Sequence, residues 1–355
     1  MSDKLAIVGG GPVGLYLAIK LAKQGHDVSL FEKSNWPIDK VCGQGIMPSG
    51  VELLQDIGFN FSRENSYEFD GVEYIDRDLI VKARLETSGR GISRNELSKE
   101  LFNITKNYSN IGLFPNTRIS NIKLEERKYS IEFDSKYHSY DYIFACDGLN
   151  SNLRKLLNNE SNRLINNRVG ARVHFNMPPW SKYVQVFWNS GVEAYVTPVS
   201  HEKIEIAFLW FDDKIQKGNK LDEKLFKLFP KLCNKLDFDK IEKDFKGHSF
   251  FKYYSDSIHV MNVFFIGDAY KFLDGITGEG ISLGMKTASL IANNYHNFKL
   301  KHKIKIHLLY LNYSIWVYLA LLLSKHSTLR RLIFKFLNKF NWPFKKILKL
   351  NDLKI

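Results

Sequence analysis

The chain opens on a unit that few folds can use: a strand, a glycine turn, a helix, a second strand and an acid, in that order. Lys4 to Val8 is an apolar run short enough to be a buried strand. Gly9-Gly10-Gly11-Pro12-Val13-Gly14 follows, placing Gly9, Gly11 and Gly14 in the three positions of GxGxxG. Leu15, Leu17, Ala18, Leu21 and Ala22 then recur at helical spacing up to Gly25, a helix-ending residue. His26 to Phe31 is a second strand, closed by Glu32. In such a unit the first glycine makes the tight turn and the second admits a pyrophosphate. The third lets helix and strand pack, and the free N–H groups of the helix start meet the phosphates. Glu32, placed after the second strand, suits the hydroxyls of an adenosine ribose. The unit predicts a dinucleotide site.

The remaining composition narrows the class. The 355 residues are 44% hydrophobic and 25% charged, a globular balance with room for two domains. Three cysteines, Cys42, Cys146 and Cys233, form no CxxC pair and no even framework, so a reducing compartment and no structural metal are expected. The ten histidines show no HExxH spacing. No secretion signal precedes the first strand, and the expected placement is cytoplasmic. The net charge of +13 is concentrated at one end. From Asn297 onward, 13 Lys and Arg face a single acid, Asp352, and the rest of the chain is near neutral. A nucleic-acid binder carries its basic residues on its fold. A basic, apolar tail points to anionic membrane, with peripheral contact at its inner face, and not to nucleic acid.

Two later segments decide between dinucleotides. In the first, the strand Tyr142-Ile143-Phe144-Ala145 ends at Cys146-Asp147-Gly148, and a helix begins near Ser151. In the second, Val263-Phe264-Phe265-Ile266 ends at Gly267-Asp268, and Gly275, Gly278 and Gly280 lead into another helix. An FAD site needs such parts. A distant carboxylate binds a ribityl hydroxyl, and a second helix start, entered through glycines, faces the flavin and favours its reduced, anionic form. Asp268 suits the first role; Gly278 and Gly280 suit the second.

With these residues in place, the chain resembles the FAD-dependent oxidoreductases of the para-hydroxybenzoate-hydroxylase-like superfamily. This group includes aromatic monooxygenases, geranylgeranyl reductases and flavin-dependent halogenases. The matching motifs are GGGPVG at Gly9–Gly14, CDGLNSNLR at Cys146–Arg154 and GDAYKFLDGITGEGI at Gly267–Ile281. Lys40-Val41-Cys42-Gly43-Gln44-Gly45 is similar to the geranylgeranyl-reductase-like branch, and no halogenase WxWxIP pattern is present. The resemblance implies a cofactor site made of Gly9, Gly11, Pro12, Val13, Gly14, Glu32, Lys33, Lys40, Arg94, Asp147, Gly148, Arg154, Gly267, Asp268, Gly278, Glu279, Gly280 and Ile281. It also implies that Cys42 lies beside the flavin, where a thiol could take part in catalysis.

The fold class expected is α/β. A Rossmann-like FAD-binding domain takes residues 1–60, 88–164 and 256–298. An antiparallel substrate sheet is inserted from 61–87 and 165–255, and a helical tail covers 299–355. Within the insert, Val169–Phe175, Tyr183–Trp188, Val192–Pro198 and Ile204–Phe211 alternate as strands, and Tyr195 and Pro198 are placed near the mouth of the substrate pocket. In the tail, Leu308–Ser324 is 17 residues, short of the ~20 that span a bilayer, and predicts a helix packed on the body or lying at an interface. Leu329, Leu332, Ile333, Phe336, Leu337 and Phe340 make one face of a following basic helix, with Ser327 or Thr328 as N-cap.

The function expected is an FAD oxidoreductase, reduced transiently by NAD(P)H and acting on a hydrophobic aromatic, polyketide or isoprenoid-like molecule. Hydroxylation is the main reading. Reduction of a carbon–carbon double bond and a non-catalytic, membrane-associated flavin factor are the alternatives.

Overall fold

The computed structural model describes residues 2–41, 43–215, 220–242, 245–340 and 342–351. The N-terminal unit folds as its pattern dictates. Strand Lys4–Val8 leads through the glycine turn into helix Pro12–Lys23, whose first residue is a proline already set at the helical φ. Strand Asp27–Phe31 then pairs parallel with the first. Ile111–Phe114 adds beyond it, while Tyr142–Ala145 and then Val263–Phe265 add on the other side. Lys4–Val8 is therefore central, and the strand order reverses beside it. In a doubly wound sheet, ligands bind at such a reversal, outside the carboxyl ends of the strands. Every loop singled out in the sequence leaves a carboxyl end here: Gly9 after Val8, Glu32 after Phe31, Asp147 after Ala145 and Asp268 after Phe265.

The second layer is a nine-stranded sheet. Glu160–Phe175, Lys203–Phe211, Val192–Ser200 and Tyr183–Asn189 run antiparallel to one another, as their alternation predicted. The sheet also takes in long strands Ser66–Asp76 and Leu79–Ile92, the latter reaching past residue 87. Tyr183–Asn189 joins Ser66–Asp76 in parallel, a pairing between segments far apart in the chain. Its outer face packs Val173, Ile206, Phe208 and Trp210 against the short helices Leu221–Lys227 and Pro230–Cys233. Its other face turns to the dinucleotide domain, where Trp188, Leu209 and Phe211 share one core with Leu15, Tyr16 and Met285. A small three-stranded sheet over residues 122–139 stands apart.

The tail is three helices: Leu300–Lys325, Ser327–Lys339 and Trp342–Asn351. The first is 26 residues, not 17, and is the one helix among the described residues long and apolar enough to cross a membrane. Its charged first turns extend the helix without extending the apolar run. Neither Ser327 nor Thr328 caps the second helix. The chain breaks for one residue at His326, and the amide of Arg330 takes the His326 carbonyl. The histidines do gather at one point: ligating atoms of Asp3, His26 and His296 lie within 4.8 Å of one another. Hydrogen bonds join this group, with Tyr295 donating to Asp3 at 2.6 Å and His296 Nε2 standing 2.9 Å from it.

Candidate functional site

The glycine turn is shaped by two close approaches. Gly9 has φ +109°, and a Cβ there would lie 2.4 Å from the Cys146 carbonyl oxygen. A Cβ on Gly14 would lie 1.9 Å from the Gly9 carbonyl oxygen, so helix and strand touch through bare backbone. Gly11 is different: within 4 Å a Cβ would meet only Arg94, at 3.8 Å. The space in front of the helix start is thus open and faced by a guanidinium. Trp36 donates to the Gly10 carbonyl at 2.9 Å and stacks on Phe102, fixing the turn from the side.

Glu32 is buried, with Oε2 accepting from the Gly10 amide at 2.7 Å and Oε1 from the Ser34 amide at 3.1 Å. Each oxygen keeps a lone pair for a hydroxyl. Arg94 begins helix Arg94–Thr105, capped by Ser93 accepting from Glu96. Its side chain is 8% exposed, and Nε and Nη1 have no hydrogen-bond partner. A buried cation with unspent donors is costly. Asp268 stands across from it. Burial pushes the Asp268 carboxyl up to about 6, against the pull of Arg94, Lys40 and Arg154. Lys40 is exposed at the cleft mouth, where desolvation by the walls and the charge of Arg94 hold its ammonium below the ordinary range; Lys33 adds to the same field. Asp268 Oδ1 would lie 3.9 Å from a Cβ on Gly280, the first residue of helix Gly280–Ala292, whose N-terminus has no side-chain cap.

This is the donor set an FAD diphosphate requires: an open glycine cradle, two helix starts and a buried guanidinium lacking partners. The residues present fit the cofactor. Residues 3–73 match the family model described as FAD binding domain. The chain is 25% identical over 336 residues to FAD-dependent monooxygenase ntnA from Nectria sp, covering 82% of this chain and 44% of that protein. It thus spans under half the length of that relative. The fold matches PqsL of Pseudomonas aeruginosa, titled a probable FAD-dependent monooxygenase, with TM-score 0.71 and 18% identity over 82% of this chain and 85% of that one. It also matches the flavin-dependent brominase Bmp2, with TM-score 0.81 and 15% identity over 99% of this chain and 94% of that one. The chain is thus similar in sequence to FAD-dependent monooxygenases and shares the fold of such enzymes.

The fold gives some of the expected residues other work. Arg154 is sealed from solvent, and its guanidinium donates to the carbonyls of Ala269 at 2.9 Å, Asp268 at 3.3 Å and Leu149 at 2.6 Å. It ties the second motif to the third and offers no face to a cofactor, because the loops it joins enclose it. Asp147 Oδ2 accepts from the amides of Asn152 at 2.7 Å and Leu153 at 3.3 Å, capping the short helix Asn152–Leu156 beyond Gly148. Tyr195 and Pro198 do not share a face, since an odd separation on a strand puts them on opposite sides. Tyr195 turns to the flavin domain and donates to the Ile276 carbonyl at 2.6 Å; Pro198 is buried on the other side. Pro12, Val13, Gly267, Gly278, Glu279 and Ile281 sit where the turn and helix starts put them, with Glu279 buried at the N-cap. Cys42 lies outside the described residues. Cys146 is buried, and burial pushes its thiol up, away from the reactive thiolate.

Sequence reasoning missed a polar wall. On the flavin-side face, Arg168 bonds Glu193 at 2.9 Å and Asp274 at 3.3 Å, all three without exposed side chain. Burial raises the Glu193 carboxyl in spite of Arg168. Arg172 reaches both oxygens of Asp39 at 2.7 Å. Burial alone would raise Asp39, but Lys246 and Arg172 hold it below the usual carboxylate range. His174 Nε2 meets the Gln44 amide oxygen at 2.9 Å, and the Gln44 backbone amide donates to Glu205 at 3.0 Å. The signal was present: Arg168, Arg172, His174, Glu193 and Glu205 take alternate places in the stretches 168–175, 192–196 and 204–211, which are otherwise made of apolar residues, glycine and tyrosine.

Proposed function

We propose that the chain is an FAD-dependent oxidoreductase that takes hydride from NAD(P)H and hydroxylates a hydrophobic aromatic or polyketide-like molecule. The observation that carries this reading is the buried Arg94, whose Nε and Nη1 lack hydrogen-bond partners, between the Gly11 turn and the Asp268 loop and beside a sheet face able to roof a flavin. The matched FAD-binding segment and the monooxygenase names of its relatives support it. Bound there, the flavin supplies two-electron chemistry and a means of activating oxygen. The chain's own residues hold and orient it. Arg94 and Lys40 would neutralise the diphosphate, Glu32 would accept from a ribose hydroxyl, and Asp268 would accept from the ribityl chain. The start of helix Gly280–Ala292 favours negative charge on the flavin edge. The polar wall gives the substrate side a hydrogen-bonding character, so the substrate is an apolar skeleton with a polar substituent.

Turnover with NADH and NADPH, followed with and without oxygen over aromatic and polyene substrates, tests the reading. A product that has gained oxygen supports hydroxylation. A product that has gained only hydrogen, formed equally well without oxygen, replaces it with double-bond reduction. Bound flavin with no substrate-dependent oxidation of either nicotinamide overturns the enzyme reading.

A further inference from the structure

Helix Leu300–Lys325 has two apolar faces and only one of them is covered. Ile306, Tyr310, Tyr313, Val317 and Leu321 are buried against the body. This inner face is fastened by hydrogen bonds: Tyr313 donates to the Asp274 carbonyl at 2.6 Å, Tyr310 to the Gly267 carbonyl at 3.3 Å, and Ser324 to Glu193. On the outer face, Leu308, Leu311, Ile315, Tyr318, Leu319 and Leu322 stand 42–55% exposed. Their spacing of three and four puts them in one stripe. At 1.5 Å per residue the stripe runs about 21 Å, longer than scattered surface leucines explain.

The stripe is bounded by cations. Lys301, Lys303 and Lys305 are exposed before it, and Lys325, Lys335 and Lys339 after it. No Asp or Glu occurs from Asn297 to Asn351. Beside the second tail helix lies a cleft of about 630 Å³ lined by Arg77, Lys231, Arg331 and Lys335 with Ser327 and Thr328. Leu332, 61% exposed, sits at its edge. An apolar stripe with cations at both ends and a basic cleft alongside complements one surface chemistry: hydrocarbon below a layer of anionic headgroups. A second copy of the chain fits poorly, because pairing two such stripes brings lysines against lysines with no acid to answer them. A bilayer span would break the bonds of Tyr310, Tyr313 and Ser324.

We propose that this face docks flat on an anionic membrane, the apolar stripe entering the interface while the inner face stays bound to the flavin loops. Removing the whole tail is a poor test, since it would also strip Tyr310 and Tyr313 from those loops. The full chain, loaded with FAD, is floated with vesicles of neutral lipid and of neutral lipid mixed with phosphatidylserine. We expect association with the anionic vesicles, released by high salt, with weak association to the neutral ones. Leu311→Glu with Ile315→Glu should lower association more than about tenfold, and Lys301→Glu with Lys303→Glu and Lys305→Glu should abolish the lipid preference. Ile315→Leu should leave both unchanged, and flavin absorbance should persist in every variant, so the docking result stands apart from the flavin assignment. Three outcomes overturn the proposal. One is association with neither vesicle. Another is association that survives alkaline extraction, which means a span. The third is a dimer by light scattering that Ile315→Glu dissolves while wild type ignores vesicles, which means a second copy.

Discussion

Two arginines, both more than nine-tenths buried, flank the cofactor loops, and they differ in what their donors meet. Arg154 spends both terminal nitrogens on three carbonyl oxygens, sets Nε 3.6 Å from Glu160 and locks the Asp147 loop to the Asp268 loop. Arg94 leaves Nε and Nη1 unspent and faces the open space before Gly11. The first is a structural clamp that happens to lie near a ligand. The second faces Asp268 and still keeps two donors that a bound anion can take. Burial and charge do not distinguish them; the count of satisfied donors does.

The contrast can be broken by four substitutions. Arg154→Met should cost the most, about 3 kcal/mol or more, because it strands buried carbonyls that lose their donors. Urea unfolding of the apoprotein measures it, and an unchanged midpoint removes the clamp from the account. Gly11→Val should leave the apoprotein folded, since a side chain there meets only Arg94, yet occupy the pyrophosphate space and eliminate bound flavin. Flavin-to-protein absorbance checks this, and full loading of the variant refutes the N-terminal assignment. Arg94→Met should weaken FAD about tenfold to hundredfold, the worth of a charged hydrogen bond, while the apoprotein becomes no less stable. Fluorescence titration and urea unfolding together show whether the two effects part as stated.

The smallest effect is tied to pH. With a folded pKa of about 6, above its unfolded value, Asp268 favours the folded apoprotein when protonated and opposes it when ionised. Its stabilising share is complete below about pH 4 and is lost as pH rises through about 6. Asp268→Asn should therefore unfold at higher urea than wild type at pH 8, by on the order of 2 kcal/mol. The gap should close as pH falls through 6 and vanish near pH 4. A gap that does not change with pH would show that Asp268 carries no burial penalty. The same variant should bind FAD more weakly, because an amide accepts from a ribityl hydroxyl less strongly than a carboxylate.

How far the sequence could be read follows from which interactions are local. The strand, turn, helix, strand and acid from Lys4 to Glu32 were legible because a single stretch of backbone sets them. Gly9 and Gly14 proved to be the positions where any side chain meets backbone. The alternating strands from Val169 to Phe211 were legible for the same reason. The parallel pairing of Tyr183–Asn189 with Ser66–Asp76 was not, since neither segment carries a mark of its partner. Arg154 entered through a family motif, and a motif says which residue recurs but not which of its atoms are free. Pro198 was placed at the mouth without counting strand parity. The tail's first helix was read short because apolar counting stopped at lysines that a helix tolerates on its outer turns.

Two bonds made by that helix bear on how the molecule comes into being. Tyr310 and Tyr313 hold the carbonyls of Gly267 and Asp274, so the third cofactor loop is braced by residues of a helix that follows it in the chain. During synthesis the glycine turn emerges first, and the brace follows some three hundred residues later. At ~5–20 residues per second the wait is tens of seconds. The nascent flavin domain therefore holds its first phosphate-binding turn long before it can close on a whole cofactor, and a helix made much later completes the site begun by the strand Lys4–Val8.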